Sequence, residues 1–191
     1  YSSFLNYIKI GVKPFRINLF AYILMPNHYH LLLQTLDPNL SRFMHQLNTA
    51  YTVYFNRTKS RVGHLFQGRY NAFLIQKDPY LLEVSRYLHL NAYRAHLTND
   101  PAKYPWSSYR YYIGKESTPN WLDIDFILNM LTDKPRSKKP FYKKFVEDGI
   151  LETTNPFEEV FGQTVLGDED FIEEIREKLN SKINPEVPAL N

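Results

Sequence analysis

Two apolar segments on either side of Pro26-Asn27 confine the first part of this chain to a β-hairpin. Phe15 to Leu24 alternates loosely and is rich in Phe, Ile and Tyr. His28 to Gln34 contains Leu31-Leu32-Leu33, the kind of apolar run that a buried strand carries. Pro26-Asn27 between them signals a tight turn. Side chains alternate faces along a strand, so His28 and His30 point the same way. Their imidazoles can then share one divalent cation on a rigid platform. The same spacing is also that of two ordinary polar side chains, and other segments must decide between the two readings.

Helical periodicity organises the surrounding chain. Tyr1 to Ile10 reads as the end of a helix on Phe4, Leu5 and Ile8. Asp37-Pro38-Asn39 opens a long helix that keeps its period through Leu40, Phe43, Met44, Leu47, Tyr51, Tyr54 and Phe55 to about Asn56. A basic loop, Arg57 to Arg61, leads through Gly63 to Gly68 into an expected strand at Tyr70 to Gln76. Asp78-Pro79 starts a second long helix, with an N-cap carboxylate and proline at the first helical position. Its core stripe is Leu81, Val84, Leu88, Ala92 and Ala95, beside a polar stripe of Tyr80, Glu83, Tyr87, Asn91 and Arg94. Shorter helices are expected at 106–113, 122–131 and 138–148, and an acidic one at 168–181.

This order predicts an α+β fold with an antiparallel, ferredoxin- or RRM-like sheet and helices on one face. The pattern helix–strand–strand–helix–strand–helix lacks an initial strand, which a preceding segment would supply. Charge divides the chain into a front domain, 1–114, and an acidic helical appendage, 115–191. The first holds 13 Lys and Arg against 4 Asp and Glu, the second 10 against 16, or +9 and −6 in a total of +3. The front part therefore carries the electrostatic footprint of a polyanion binder. It also carries most of the 15 tyrosines, which suit stacking on unpaired bases. No run approaches the ~18 apolar residues of a membrane span. The chain has no cysteine, so any metal is held by nitrogen and oxygen, and a reducing cytoplasm is the expected compartment.

The segment Ala21-Tyr-Ile-Leu-Met-Pro-Asn-His-Tyr-His-Leu-Leu-Leu33 resembles the histidine–hydrophobe–histidine segment of the single-tyrosine HUH transposases, and most of all their REP-associated relatives. Gly63-His-Leu-Phe-Gln-Gly-Arg-Tyr70, Tyr80-Leu-Leu-Glu-Val-Ser-Arg-Tyr-Leu-His-Leu-Asn91 and Tyr104-Pro-Trp-Ser-Ser-Tyr109 resemble the same family in order and spacing. The likeness covers roughly residues 1–114. Ala92 stands where relatives usually have proline, and Asn71 where lysine is common.

The resemblance implies that Tyr87 is the nucleophile. It implies further that His28, His30 and Asn91 hold a divalent ion, Mg²⁺ or Mn²⁺, with no nucleotide cofactor. Helix geometry agrees in part, since positions i and i+4 share a face and Tyr87 and Asn91 can address one phosphate. Arg42, Arg57, Lys59, Arg61, Arg69, Arg86, Arg94 and Arg110 are candidate phosphate contacts, which position a strand without reading its sequence. Tyr80 and Tyr93 compete with Tyr87 on sequence grounds. Glu83 can pair with Arg86. His64 and His89 read as structural or DNA-facing.

The expected activity is metal-dependent cleavage and rejoining of single-stranded or hairpin-bearing DNA through a 5′-phosphotyrosine, by a monomer or homodimer. The rival from another class is a catalytically idle nucleic-acid-binding protein with an RRM-like sheet, although the RNP-type aromatic signature is absent. A metallohydrolase is the third reading, and it lacks further convincing ligands.

Overall fold

The computed structural model describes residues 1–77, 79–152, 155–159 and 164–182. Asp78, the expected N-cap, lies outside the described residues. The chain runs α1 (Ser2–Val12), β1 (Ile17–Leu24), β2 (Tyr29–Thr35), α2 (Leu40–Thr58), β3 (Leu74–Ile75) and α3 (Pro79–Arg94). It continues with α4 (Tyr109–Tyr112), α5 (Asp125–Leu128), α6 (Lys138–Asp148), β4 (Val165–Leu166) and α7 (Glu169–Lys182). The fold is α+β. Among the described residues no helix is long and apolar enough to cross a membrane.

The hairpin forms as its pattern requires. β1 and β2 pair antiparallel from Ile17 opposite Thr35 to Leu24 opposite Tyr29, with an irregularity between Leu19 and Ala21. All of β1 except Asn18 is buried. A sheet covered on one face would alternate buried and exposed residues, so this strand is covered on both, and the expectation of helices on one face gives way here. Its second edge is closed by the segment after α3. Leu24 N donates to Trp106 O (2.9 Å), Ser108 N to Tyr22 O (2.9 Å) and Asp123 N to Leu19 O (2.8 Å). The Tyr112 hydroxyl donates to Phe20 O at 2.8 Å, and that of Tyr104 to Leu24 O at 2.7 Å.

The expected strand at Tyr70–Gln76 shortens to two residues and does not join this hairpin. β3 pairs in parallel with β4, a strand that the sequence pattern did not signal. The backbone of β3 finds its partners there, with Leu74 N donating to Thr164 O and Gln76 N to Leu166 O. Tyr70, Phe73 and Ile75 give the 70–76 run strand preference, but propensity does not choose the partner, and Asn71 and Ala72 weaken its first half. Among the described residues the two sheets stay separate, so the ferredoxin-like sheet is not seen.

Helix α1 lies on α2 through Phe4, Ile8 and Val12 on one side and Phe43, Met44 and Leu47 on the other, all buried. Gly11 allows the approach, because a Cβ there would sit 2.9 Å from Phe43 Cε2. One core runs from this pair through β1 and α3 to Leu122, Ile124, Ile127, Leu128, Tyr142, Val146 and Leu166. Side chains on both sides of residue 114 therefore share it. Gly11→Leu should lower stability by about 1–3 kcal/mol through overpacking against Phe43. Urea denaturation checks this, and an unchanged midpoint would contradict the close packing.

Candidate active site

The histidine pair stands at the turn end of β2. His28 is exposed just before the strand and His30 is half-buried opposite Ile23. Their ring centroids lie 5.0 Å apart with the rings at 86°. Tyr29 between them points the other way, its ring 4.7 Å from Phe4 and its hydroxyl donating to Asn48 Oδ1 at 2.7 Å. Strand alternation thus turns His30 away from α1 and α2. His28 Nδ1 sits 2.7 Å from Asn27 Oδ1, a contact that orients the ring. Burial, and then the charge of His28, lower the His30 pKa to about 4, so this ring is neutral at pH 7. A neutral imidazole is the form that binds metal. No group of three or more His, Asp or Glu fit to hold a metal occurs among the described residues. A third ligand beside the pair would have to be an amide or water.

Tyr87 and Asn91 lie one turn apart on α3, which packs against β1. Tyr87 is half-buried between two side chains. The Arg94 guanidinium carbon lies 5.2 Å above its ring, and Phe157 meets it edge-on at 5.5 Å. Phe157 rests in turn on Phe73, at 4.8 Å. Among the described residues the Tyr87 hydroxyl makes no hydrogen bond. The Asn91 amide nitrogen is buried without a hydrogen-bond partner, a state that costs roughly 1–3 kcal/mol. Tyr80, by contrast, packs against the core. No hydrogen bond or ring contact among the described residues joins Tyr87 or Asn91 to the histidines, so the two pairs occupy separate elements.

The other side of α3 holds polar side chains where the sequence pattern placed none. Ser85 and His89 are buried, whereas Ala95, assigned to the core stripe, is exposed beyond the helix end. Complete burial lowers the His89 pKa to about 3. Its Nδ1 meets the Tyr142 hydroxyl at 2.7 Å and its Nε2 meets Ser108 Oγ at 2.8 Å. Of the two roles open to it on sequence, His89 has the structural one; His64 is exposed.

The basic residues divide into two groups. Arg42, Arg57, Lys59, Arg61 and Arg69 are exposed and make no ion pair among the described residues. The only carboxylate in residues 1–77 is Asp37, which Arg16 pairs at 3.0 Å. Arg86, Arg94 and Arg110 are engaged within the protein. The Arg86 side chain is only 14% exposed and bonds Glu83 at 2.5 Å and Glu152 at 2.6 Å, over the ring of Phe145. Arg94 donates to Glu152 O at 2.9 Å, and Arg110 pairs with Glu116 and donates to Ala102 O. The Glu83–Arg86 pair is as the spacing suggested. Glu152 and Phe157, which frame Tyr87 and its neighbours, carry no motif that sequence reading could have found.

Residues 2–91 match the model of a family described as transposase IS200-like. No curated protein and no solved structure matches the chain. His28, His30, Tyr87 and Asn91 all fall within the matched residues.

Buried His89 and half-buried His30 make stability depend on pH. An unfolded histidine takes its proton near pH 6.5, whereas His30 and His89 stay neutral down to about 4 and about 3. Below pH 6.5 the unfolded state therefore binds more protons, and stability falls as the pH drops toward 4. A loss on the order of 1–3 kcal/mol between pH 7.5 and 4.5 is expected in urea denaturation. His30→Gln should remove part of that loss. Equal stability at the two pH values would contradict the assignment.

Proposed function

Residues 2–91 match the IS200-like transposase family, and from that premise we propose that this protein cuts and rejoins single-stranded DNA through Tyr87. The family gives a DNA-processing role in transposition, and DNA as the partner. The finer reading rests above all on the histidine pair, one ring held neutral by burial and the other oriented by its contact with Asn27. It rests also on Tyr87, on a separate element, whose hydroxyl has no partner among the described residues, one turn from an amide that lacks an acceptor.

Two imidazole nitrogens with an amide oxygen from Asn91 suit Mn²⁺, and Mg²⁺ would be held there with several of its waters retained. His28 and His30 would hold it. Bound there, it supplies Lewis-acid polarisation of the scissile phosphate. The remaining work belongs to the side chains. The Tyr87 hydroxyl must lose its proton as it attacks phosphorus. A P–O bond forms to Tyr87 Oη, the bond from phosphorus to the 3′ oxygen breaks, and that oxygen leaves as a 3′-hydroxyl with a proton. The 5′-phosphotyrosine conserves the phosphodiester energy, so a 3′-hydroxyl can reverse the step without a nucleotide cofactor.

An unpaired strand fits the exposed, acid-poor surface of α2 and the loop after it, where Arg57, Lys59 and Arg61 stand near Tyr54 and Phe55. A hairpin next to the cleavage point is the preferred substrate form. A ferredoxin-like sheet is part of the same proposal. Among the described residues no backbone hydrogen bond occupies the outer edge of β2, where a further strand would pair.

The test is a denaturing gel with labelled hairpin-bearing DNA and Mn²⁺. Tyr87→Phe should bind with affinity within about twofold of the parent yet form no protease-sensitive adduct, while Tyr80→Phe and Tyr93→Phe keep it. An adduct that persists in Tyr87→Phe moves the nucleophile elsewhere. A parent that binds and never forms one favours the idle-binder reading.

Replacing Arg57, Lys59 and Arg61 together with Gln should weaken DNA binding and reduce the salt slope by about 2, at unchanged stability. Arg86→Gln should instead cost about 1–2 kcal/mol of stability, since it removes charge-assisted hydrogen bonds to Glu83 and Glu152 and the guanidinium packed over Phe145. Fluorescence anisotropy against salt and thermal melts separate the two classes; equal effects from both would contradict the division.

A further inference from the structure

We propose that His89 is the positioning residue for Tyr87, and that Ser108 and Tyr142, both outside the family-matched segment, clamp it so that α3 has one rotation relative to β1. The inference rests on Tyr87 being the nucleophile, but the geometry comes from the far side of the helix. Two residues of helix turn a side chain by ~200°, so His89 points away from the face that carries Tyr87 and Asn91.

Apolar packing alone does not fix how α3 is rotated. Leu81, Val84, Leu88, Leu90 and Ala92 are all buried, so the helix is covered over a wide arc. Non-directional contacts over such an arc tolerate a slip about the axis. Hydrogen bonds do not, because they weaken steeply with angle. On α3 the directional contacts on the buried side are those of Ser85 and His89.

The connections form a continuous path. Ser85 Oγ lies 2.7 Å from Leu82 O and 2.9 Å from the Tyr142 hydroxyl, which lies 2.7 Å from His89 Nδ1. On the other side of the ring, His89 Nε2 is 2.8 Å from Ser108 Oγ. That oxygen accepts from Tyr22 N at 2.9 Å and lies 3.1 Å from Tyr22 O. Tyr22 immediately precedes Ile23, the residue opposite His30. The rotation of the tyrosine helix is thus referenced, through one imidazole and one hydroxyl, to the backbone beside a histidine of the pair. The rings of Tyr109, Tyr112 and Tyr142 close around His89, at 5.4, 4.8 and 5.6 Å, and shield the path from solvent. A leucine in place of His89 could fill much of this space. What it could not supply is an acceptor and a donor on opposite edges.

The experiment uses the full chain in four forms: the parent, Tyr142→Phe, His89→Leu and His89→Gln. Hydrogen exchange is read on peptides from α3 and, as a reference, from α1 and α2, alongside DNA affinity and adduct formation. Tyr142→Phe removes a single hydroxyl and should raise exchange within 87–94 at least tenfold relative to α1 and α2. DNA affinity should stay within about twofold while the adduct-forming rate falls at least tenfold. His89→Leu should do the same more strongly, and His89→Gln, which keeps a donor and an acceptor, should recover part of the rate. Exchange that rises equally in all helices, or a rate that falls only with the folded fraction, overturns the proposal. So does an unchanged α3 in Tyr142→Phe. A parent that forms no adduct sinks the functional reading alone, since the exchange comparison decides the clamp without activity.

Discussion

Seven of the eight residues of β1 are buried, and a strand buried on both faces cannot leave its backbone N–H and C=O groups unpaired. This requirement shapes the rest of the molecule. β2 satisfies one edge and thereby sets His30 opposite Ile23. The other edge is satisfied by main-chain and hydroxyl groups from residues 104–123, including those of Tyr104, Ser108 and Tyr112. The segment that follows α3 must therefore return across the hairpin, and as it returns it brings Ser108 to His89. Strand, histidine pair and tyrosine helix are tied by the same set of bonds.

Electrostatics is arranged on this frame by where carboxylates occur. In residues 1–77 one carboxylate faces nine Lys and Arg, and Arg16 already holds it. The basic residues of α2 and the following loop are left for an external anion. Farther along, Glu83, Glu116 and Glu152 draw Arg86 and Arg110 into internal pairs. Arg86, with its head over Phe145 and its charge between two carboxylates, ties α3 to the region around α6. Arg94 lies across the Tyr87 ring while bonding Glu152 O. The acidic later part of the chain thus neutralises arginines near the proposed nucleophile and leaves those of α2 unopposed.

Periodicity made the main helices and the hairpin legible, because each buries an apolar stripe wide enough to register in sequence. α6 spans 138–148, as its pattern indicates, and α2 runs to Thr58, two residues past the expected end. The His28–His30 pair was legible through strand alternation alone. β3 and β4 were not, since two residues carry no period and their pairing joins positions some ninety residues apart. The polar cluster of Ser85, His89, Ser108 and Tyr142 was hidden for a different reason. Polar residues at buried positions read as surface until their partners are known, and these partners come from three separate elements. The arginines failed in the opposite sense. A basic side chain looks free for phosphate until a carboxylate such as Glu152 is seen against it.

The proposed chemistry turns on one residue of α3 reaching phosphate. The most direct measurement is tandem mass spectrometry of the protein–DNA adduct after nuclease and protease digestion. A nucleotide 5′-phosphate linked to the peptide that contains Tyr87, and localised to that residue, is the predicted result. A phosphate localised to Tyr80, Tyr93 or a tyrosine outside α3 would contradict it.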